Sequence, residues 1–273
     1  MHQNKRPFIF FHTLKNTLDQ LHRHYHRRDL VHPDPLEFLY RYNDIKDREI
    51  VGLIASCLAY GRVAQILKSV DQVLGPMNPS PYRFLKHTSF ASIRRMFKTF
   101  KHRFACGEHM ASLLSGIKDV TARFGSLEQC FISGVSLDDE TTLSAMTRFV
   151  QHLRAERYNP AHLIAGPEKG SACKRLNLFL RWMVRKDLID PGGWDHIPLN
   201  KLIIPLDTHM HRISLLLGLT SRKQANMKTA LEVTSGFRKL APDDPLKYDF
   251  CLTRFGIRND MDICELERYF SFC

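Results

Sequence analysis

Three features of the sequence predict an all-α fold. Apolar residues recur at three- and four-residue spacing through most of the chain. No segment keeps the apolar–polar alternation of a half-buried strand. Gly and Pro stand at the joints between the periodic stretches. With 273 residues, 44% of them hydrophobic, the chain is long enough for a substantial core. The expectation is one all-helical unit over 1–273 with two lobes.

Residues 7–28 are expected to be helical, with Leu14, Leu18, Leu21 and Tyr25 on one side and Lys15, His22, Arg23 and Arg27 on the other. HRHYHRR at 22–28 is either a phosphate contact or a solvated helix end. Asp34-Pro35 opens DPLEFLYRY, since Asp before Pro is a helix-starting pair, and DPLKYDF at 244–250 uses the same device. KDREIVGLIASCLA (46–59) and RVAQILKSVDQVLG (62–75) read as two helices broken at Gly61, with Tyr60 and Arg62 beside the break. Further helices are expected near 89–103, 107–123 and 141–155. Within them KTFKHRF (98–104) interleaves cations with Phe, a composition that suits nucleic-acid contact and core packing equally. The polar stretch SGVSLDDETT (133–142) marks the expected lobe boundary. Segments 223–241 and 246–255 read as helices, followed by the acidic NDMDICELE.

The stretch from Gly166 to Gly218 reads as helix, loop, helix. Ser171 is the expected N-cap of the first helix, and Leu176, Phe179, Leu180, Met183 and Val184 form its buried face. Lys174, Leu178, Arg181 and Arg185 step by four, three and four, which lines up three cations on another stripe. That stripe is either a solvated face or a basic track leading to Lys174. Asp207 precedes THMHRISLLLGL and is an N-cap, with Ile213, Leu216 and Leu217 as the apolar face behind it. The turn from Pro167 through Gly170 to Ser171 could hold a phosphate on backbone N–H groups.

A net charge of +12 favours a polyanionic partner, most simply nucleic acid. Seven cysteines without CxxC or metal-ligand rhythm read as reduced residues of a cytoplasmic protein. No apolar run reaches the roughly 20 residues of a membrane span, and Phe8-Ile9-Phe10-Phe11 is too short for a signal peptide. No metal, no cofactor and a monomer are expected.

PLDTHMHRI resembles the PVDxHVxR segment of the helix-hairpin-helix (HhH-GPD) DNA glycosylases, over a core at 145–220. GSACKRLNLFLRWMVR, IIPLDTHMHRI and DPLKYDF resemble, over nearly the whole chain, an uncharacterised bacterial family (DUF2400-like) placed beside those glycosylases. The resemblance implies a two-lobed fold with an atypical hairpin, because LIAGPEKGSA stands where LPGVG is usual. It also implies a base-excision DNA glycosylase acting on double-stranded DNA with a damaged base. In lyase-type members a Lys attacks the sugar C1′ and an Asp assists; here Asp207 matches the Asp and Lys174 the Lys, with Lys169 a competitor. Their separation, 207 − 174 = 33, is nearer the archaeal 8-oxoguanine glycosylase branch. Such a Lys must be neutral to react, which calls for burial, a helix N-terminus and neighbouring cations such as Arg175, Arg181 and Arg185. By the same resemblance Tyr60 could stack on a base and Arg62 could meet phosphate. Arg212 and His209 complete the expected DNA-contacting set.

Two other functions compete. One is a non-catalytic nucleic-acid-binding module on the same scaffold. The other is a metal hydrolase using Asp207, His209 and His211; on a helix the two His lie about 200° apart, which disfavours joint coordination.

Overall fold

The computed structural model describes residues 5–154, 159–258 and 260–270, with side chains from residue 11 onward. The side chains of Phe8, Ile9 and Phe10, the end of the 141–155 segment, Asn259 and Cys273 lie outside the described residues. The helices are α1 (Lys5–Tyr25), α2 (Ile45–Leu58), α3 (Val63–Leu74), α4 (Pro81–His87) and α5 (Phe90–Met96). A hairpin of β1 (Lys101–His102) and β2 (Ala105–Cys106) follows. Then come α6 (Gly107–Phe124), α7 (Leu127–Ile132), α8 (Leu143–Leu153), α9 (Lys174–Val184) and α10 (Thr208–Leu216). The chain ends in α11 (Met227–Leu240), α12 (Asp249–Ile257) and α13 (Ile263–Phe270). The fold is all-α apart from that hairpin.

Four of the helices, α3, α4, α7 and α9, pack around α2. Asp44 caps it, accepting from the backbone N–H of Lys46 and Asp47. From Glu49 to Leu58 every residue is buried, so the helix is enclosed on all sides rather than presenting one apolar stripe. A side chain at Gly52 would begin 3.2 Å from Leu39 Cδ2 and 3.3 Å from Met183 Sδ, so the glycine lets α2 and α9 approach closely. Glu49 reaches out of α2 to accept from the N–H groups of Leu127 and Glu128 at the start of α7, and from Trp194 Nε1. Burial pushes its carboxyl up to about 7 despite those three donors. The buried apolar residues form one cluster running from Leu14 to Phe270.

Four expectations about local structure are corrected. The helix expected over 89–103 ends at Met96, and the hairpin follows. Of the two Phe in KTFKHRF, Phe100 turns into the core whereas Phe104 stands exposed at the hairpin tip, so core packing accounts for only the first. The segment after Asp34 is a 3-10 helix, Pro35–Arg41, opened as expected by the Asp34 side chain accepting from Leu36 N–H. Ser171 is not the cap of α9: its backbone bridges Asn226, its Oγ accepts from Cys173 N–H, and the helix begins only at Lys174. Leu216 is 43% exposed; Met210 joins Ile213 and Leu217 on the buried face of α10 instead.

Candidate active site

A cavity of about 610 Å³ opens where the C-terminal end of α2, the N-termini of α9 and α10, and α12 converge. Its size falls within the roughly 300–1,000 Å³ usual for small-molecule sites. Tyr60, Gly61, Ala172, Lys174, Asp207 and Asp249 are on its wall.

Lys174 and Asp207 meet there, with Nζ and Oδ2 3.7 Å apart and the side chains 29% and 22% exposed. Each position follows from how a helix starts. Asp207 caps α10: its Oδ1 accepts from the N–H groups of His209 and Met210 at 3.0 and 2.9 Å. One oxygen is therefore tied to the backbone while the other faces the amine. Lys174 is the first residue of α9, directly after Cys173, whose φ of 47° and ψ of 38° put it in the left-handed region. A non-glycine residue there costs about 1–3 kcal/mol. The bend is held by burial of Cys173, by its N–H on Ser171 Oγ, and by Sγ lying 3.5 Å from the Ala165 carbonyl. At 3.7 Å the amine and carboxylate attract each other without a full hydrogen bond, which leaves the amine free to engage a third group.

Residues 34–258 match the family described as DUF2400, protein of unknown function. The chain belongs to the DUF2400 family. No curated protein and no solved structure matches it. Lys174, Asp207 and the other wall residues named above all lie inside the DUF2400 match.

The remaining expected site residues divide into three groups. Some stay at the cavity. Tyr60 donates from its hydroxyl to the His102 carbonyl at 3.0 Å, lies 2.9 Å from His162 Nε2, and has the Arg175 guanidinium 4.9 Å from its ring centre. Arg175 itself donates inward, to the carbonyls of Cys57 and His162, and so closes the end of α2. Ser171 and His209 are exposed on the rim, and Arg62, also exposed, sits at the start of α3.

Others lie off the cavity wall. Arg212 pairs with Glu267 at 3.0 Å, toward α13. Lys169 and Gly170 are exposed at the end of the 3-10 turn Pro167–Lys169, and the Gly170 N–H is already bonded to Pro167 O. Between the two competing amines, then, Lys174 is the one beside the carboxylate. His211 turns its Nε2 to the Arg222 carbonyl, and among the described residues no three His, Cys, Asp or Glu side chains are placed to hold a metal.

The third group is a correction. Arg181 and Arg185 are buried, 2% and 4% exposed, and form no basic track. Arg181 binds Asp190 at 3.1 Å and Asp249 at 2.5 Å; Arg185 binds Asp190, Asp187 and Asp244 at 2.5, 2.9 and 2.9 Å. Neutralised by these carboxylates, neither can serve a phosphate or act as an uncompensated cation near Lys174.

Sequence reasoning missed Asp249 and Arg254. Asp249 lines the cavity while its Oδ2 binds Arg181; burial raises its carboxyl, and Asp207 adds to the rise against the pull of Arg181. Arg254 binds Asp34 at 2.8 Å across the same wall. The available signal was the pair of Asp-Pro segments, DPLEFLYRY and DPLKYDF, whose ends both come to this cavity.

Proposed function

We propose that the chain is a base-excision DNA-repair protein: a DNA glycosylase with AP-lyase activity through Lys174. The observation that carries the reading is the Lys174–Asp207 pair, 3.7 Å apart on the wall of a 610 Å³ cavity, in a chain of net charge +12. The resemblance of PLDTHMHRI to the helix-hairpin-helix glycosylases supports it.

In this reading a damaged nucleotide is turned out of the duplex into the cavity. The Lys174 amine, once its proton has passed to solvent, forms a bond to C1′ while the C1′–N bond to the base breaks. The base leaves with that electron pair and takes up a proton from solvent. Opening of the sugar ring passes the amine's proton to O4′ and leaves a protonated imine. Asp207 Oδ2, with Oδ1 fixed by the helix start, stabilises the positive charge that develops on the sugar. Tyr60 stands at the rim as a stacking surface and Arg62 as a phosphate contact.

The test is a panel of duplex oligonucleotides, each with one lesion or an abasic site, incubated with borohydride. A covalent adduct with wild type, absent with Lys174→Ala and greatly reduced with Asp207→Asn, is the expected outcome. If wild type binds DNA yet yields no adduct and releases no base from any member, the protein is a binding module and the excision reading fails.

A further inference from the structure

The β1–β2 hairpin is a small structure held firmly. His102 is buried, with Nδ1 2.8 Å from Ser69 Oγ and Nε2 3.1 Å from the Tyr60 carbonyl. The Tyr60 hydroxyl in turn donates to the His102 carbonyl. Hairpin and cavity rim thus share Tyr60.

The tip consists of Arg103 and Phe104. Arg103 has φ 51°, at the first turn position, where Gly is usual. The presence of Arg there is explained by where its side chain goes. It lies across Gly61 on the cavity rim, so closely that a Cβ on Gly61 would come 2.7 Å from Arg103 Cδ. Gly61, at φ 100°, could carry a side chain only under strain, so the rim keeps a groove that the arginine fills. Phe104 is 75% exposed, with the Arg103 guanidinium 5.5 Å from its ring centre and the His162 ring 6.3 Å away, edge-on.

An exposed phenyl ring ordinarily implies a covering partner. A protein partner would be signalled by further apolar surface around it. Here the exposed residues of the hairpin besides Phe104 are Lys101, Arg103 and Cys106, and Arg103 reaches across to Gly61, next in the chain to the exposed Arg62. One flat aromatic face among cations suits a nucleobase between phosphates.

We infer that this hairpin is a nucleic-acid-stacking finger: Phe104 stacks on a base exposed beside the nucleotide that enters the cavity, and Arg103 and Arg62 meet the flanking phosphates. The inference rests on the cavity being a nucleotide site. It assigns the finger a role separate from the chemistry at Lys174.

The full chain is tested with a duplex carrying a tetrahydrofuran abasic analogue flanked by 2-aminopurine. That analogue has no base to lose, so binding is read without reaction. Wild type should bind and change the 2-aminopurine emission. Phe104→Ala should bind about tenfold more weakly and leave the emission unchanged, and Phe104→Trp should restore both. Arg103→Gly, which relieves the turn, should reduce the slope of log affinity against log salt by about one. Circular dichroism of each variant checks that the fold is retained. Wild-type affinity and emission change in Phe104→Ala would overturn the inference, as would failure of wild type to bind either duplex or single strand at low salt. Phe104-dependent stacking by a protein that traps no lesion keeps the finger and discards excision. Trapping with affinity and emission insensitive to Phe104 does the reverse.

Discussion

The two ends of α9 carry the same kind of residue on the same stripe and meet opposite fates. At the N-terminal end Lys174 is partly exposed, faces one carboxylate at 3.7 Å and opens on the cavity. About two and three turns on, Arg181 and Arg185 are sealed among Asp187, Asp190, Asp244 and Asp249, with contacts as short as 2.5 Å. The difference lies in what the rest of the chain brings. At the far end four acids arrive and turn cations into cross-links between α9, its following loop and α12. At the near end a single capping Asp arrives, with one oxygen already engaged by the backbone. An amine with one loosely held partner is open to a substrate; a guanidinium held by two or three carboxylates can only hold the fold.

The contrast is broken most severely at Lys174 itself. If the excision reading is right, Lys174→Ala should lower the rate of adduct formation by about a thousandfold or more, since a nucleophile has no local substitute. Single-turnover assays with borohydride measure this. The counterpart at the other end is Arg181→Ala, which strands Asp249 without its guanidinium and leaves Asp190 with Arg185 alone. Removing one member of a buried ion pair costs about 3–5 kcal/mol. Urea unfolding should show that loss, and a change under about 1 kcal/mol would mean the network is not the cross-link described.

The helices of this protein were largely legible in its sequence. The segments 46–59, 62–75 and 107–123 correspond to Ile45–Leu58, Val63–Leu74 and Gly107–Phe124, because dense apolar runs bounded by breakers leave few alternatives. The hairpin was not legible: strands of two residues have no period to detect, and its turn carries Arg where Gly would have flagged it. At the site, Asp207 could be read from local signals, Pro205 before it and a helix after it. The fate of Arg181 could not. Its partners Asp190 and Asp249 lie 9 and 68 residues away, and no local pattern announces a carboxylate that arrives through the fold. The cationic spacing is visible in the sequence; the carboxylates that bury and neutralise Arg181 and Arg185 are not.

A milder test uses acid. Asp187 is partly buried, which pushes its carboxyl up, but the His26 ring, Arg185 and two backbone N–H groups outweigh burial and hold it well below the usual range. A depressed carboxylate contributes stability that is complete above the unfolded value of about 3.9 and is lost as pH falls below it. Asp187→Asn should therefore lose about 1 kcal/mol at neutral pH. Its urea midpoint should also fall less steeply than wild type between about pH 5 and pH 3. Parallel curves would place the acid-sensitive group elsewhere.

The smallest expected effect is the most diagnostic, because it asks what Lys174 does for the fold. Its ion pair with Asp207 is partly open to water and longer than a hydrogen bond, and solvent-screened pairs of this kind contribute about 0–1 kcal/mol. Lys174→Ala should therefore shift the unfolding midpoint hardly at all. Asp207→Asn should cost little more, since the amide oxygen can still accept from His209 and Met210 N–H. A double-mutant cycle on the two should give a coupling below about 1 kcal/mol. A coupling of several kcal/mol would show that Lys174 is a structural cation like Arg181, and the distinction between the two ends of α9 would disappear.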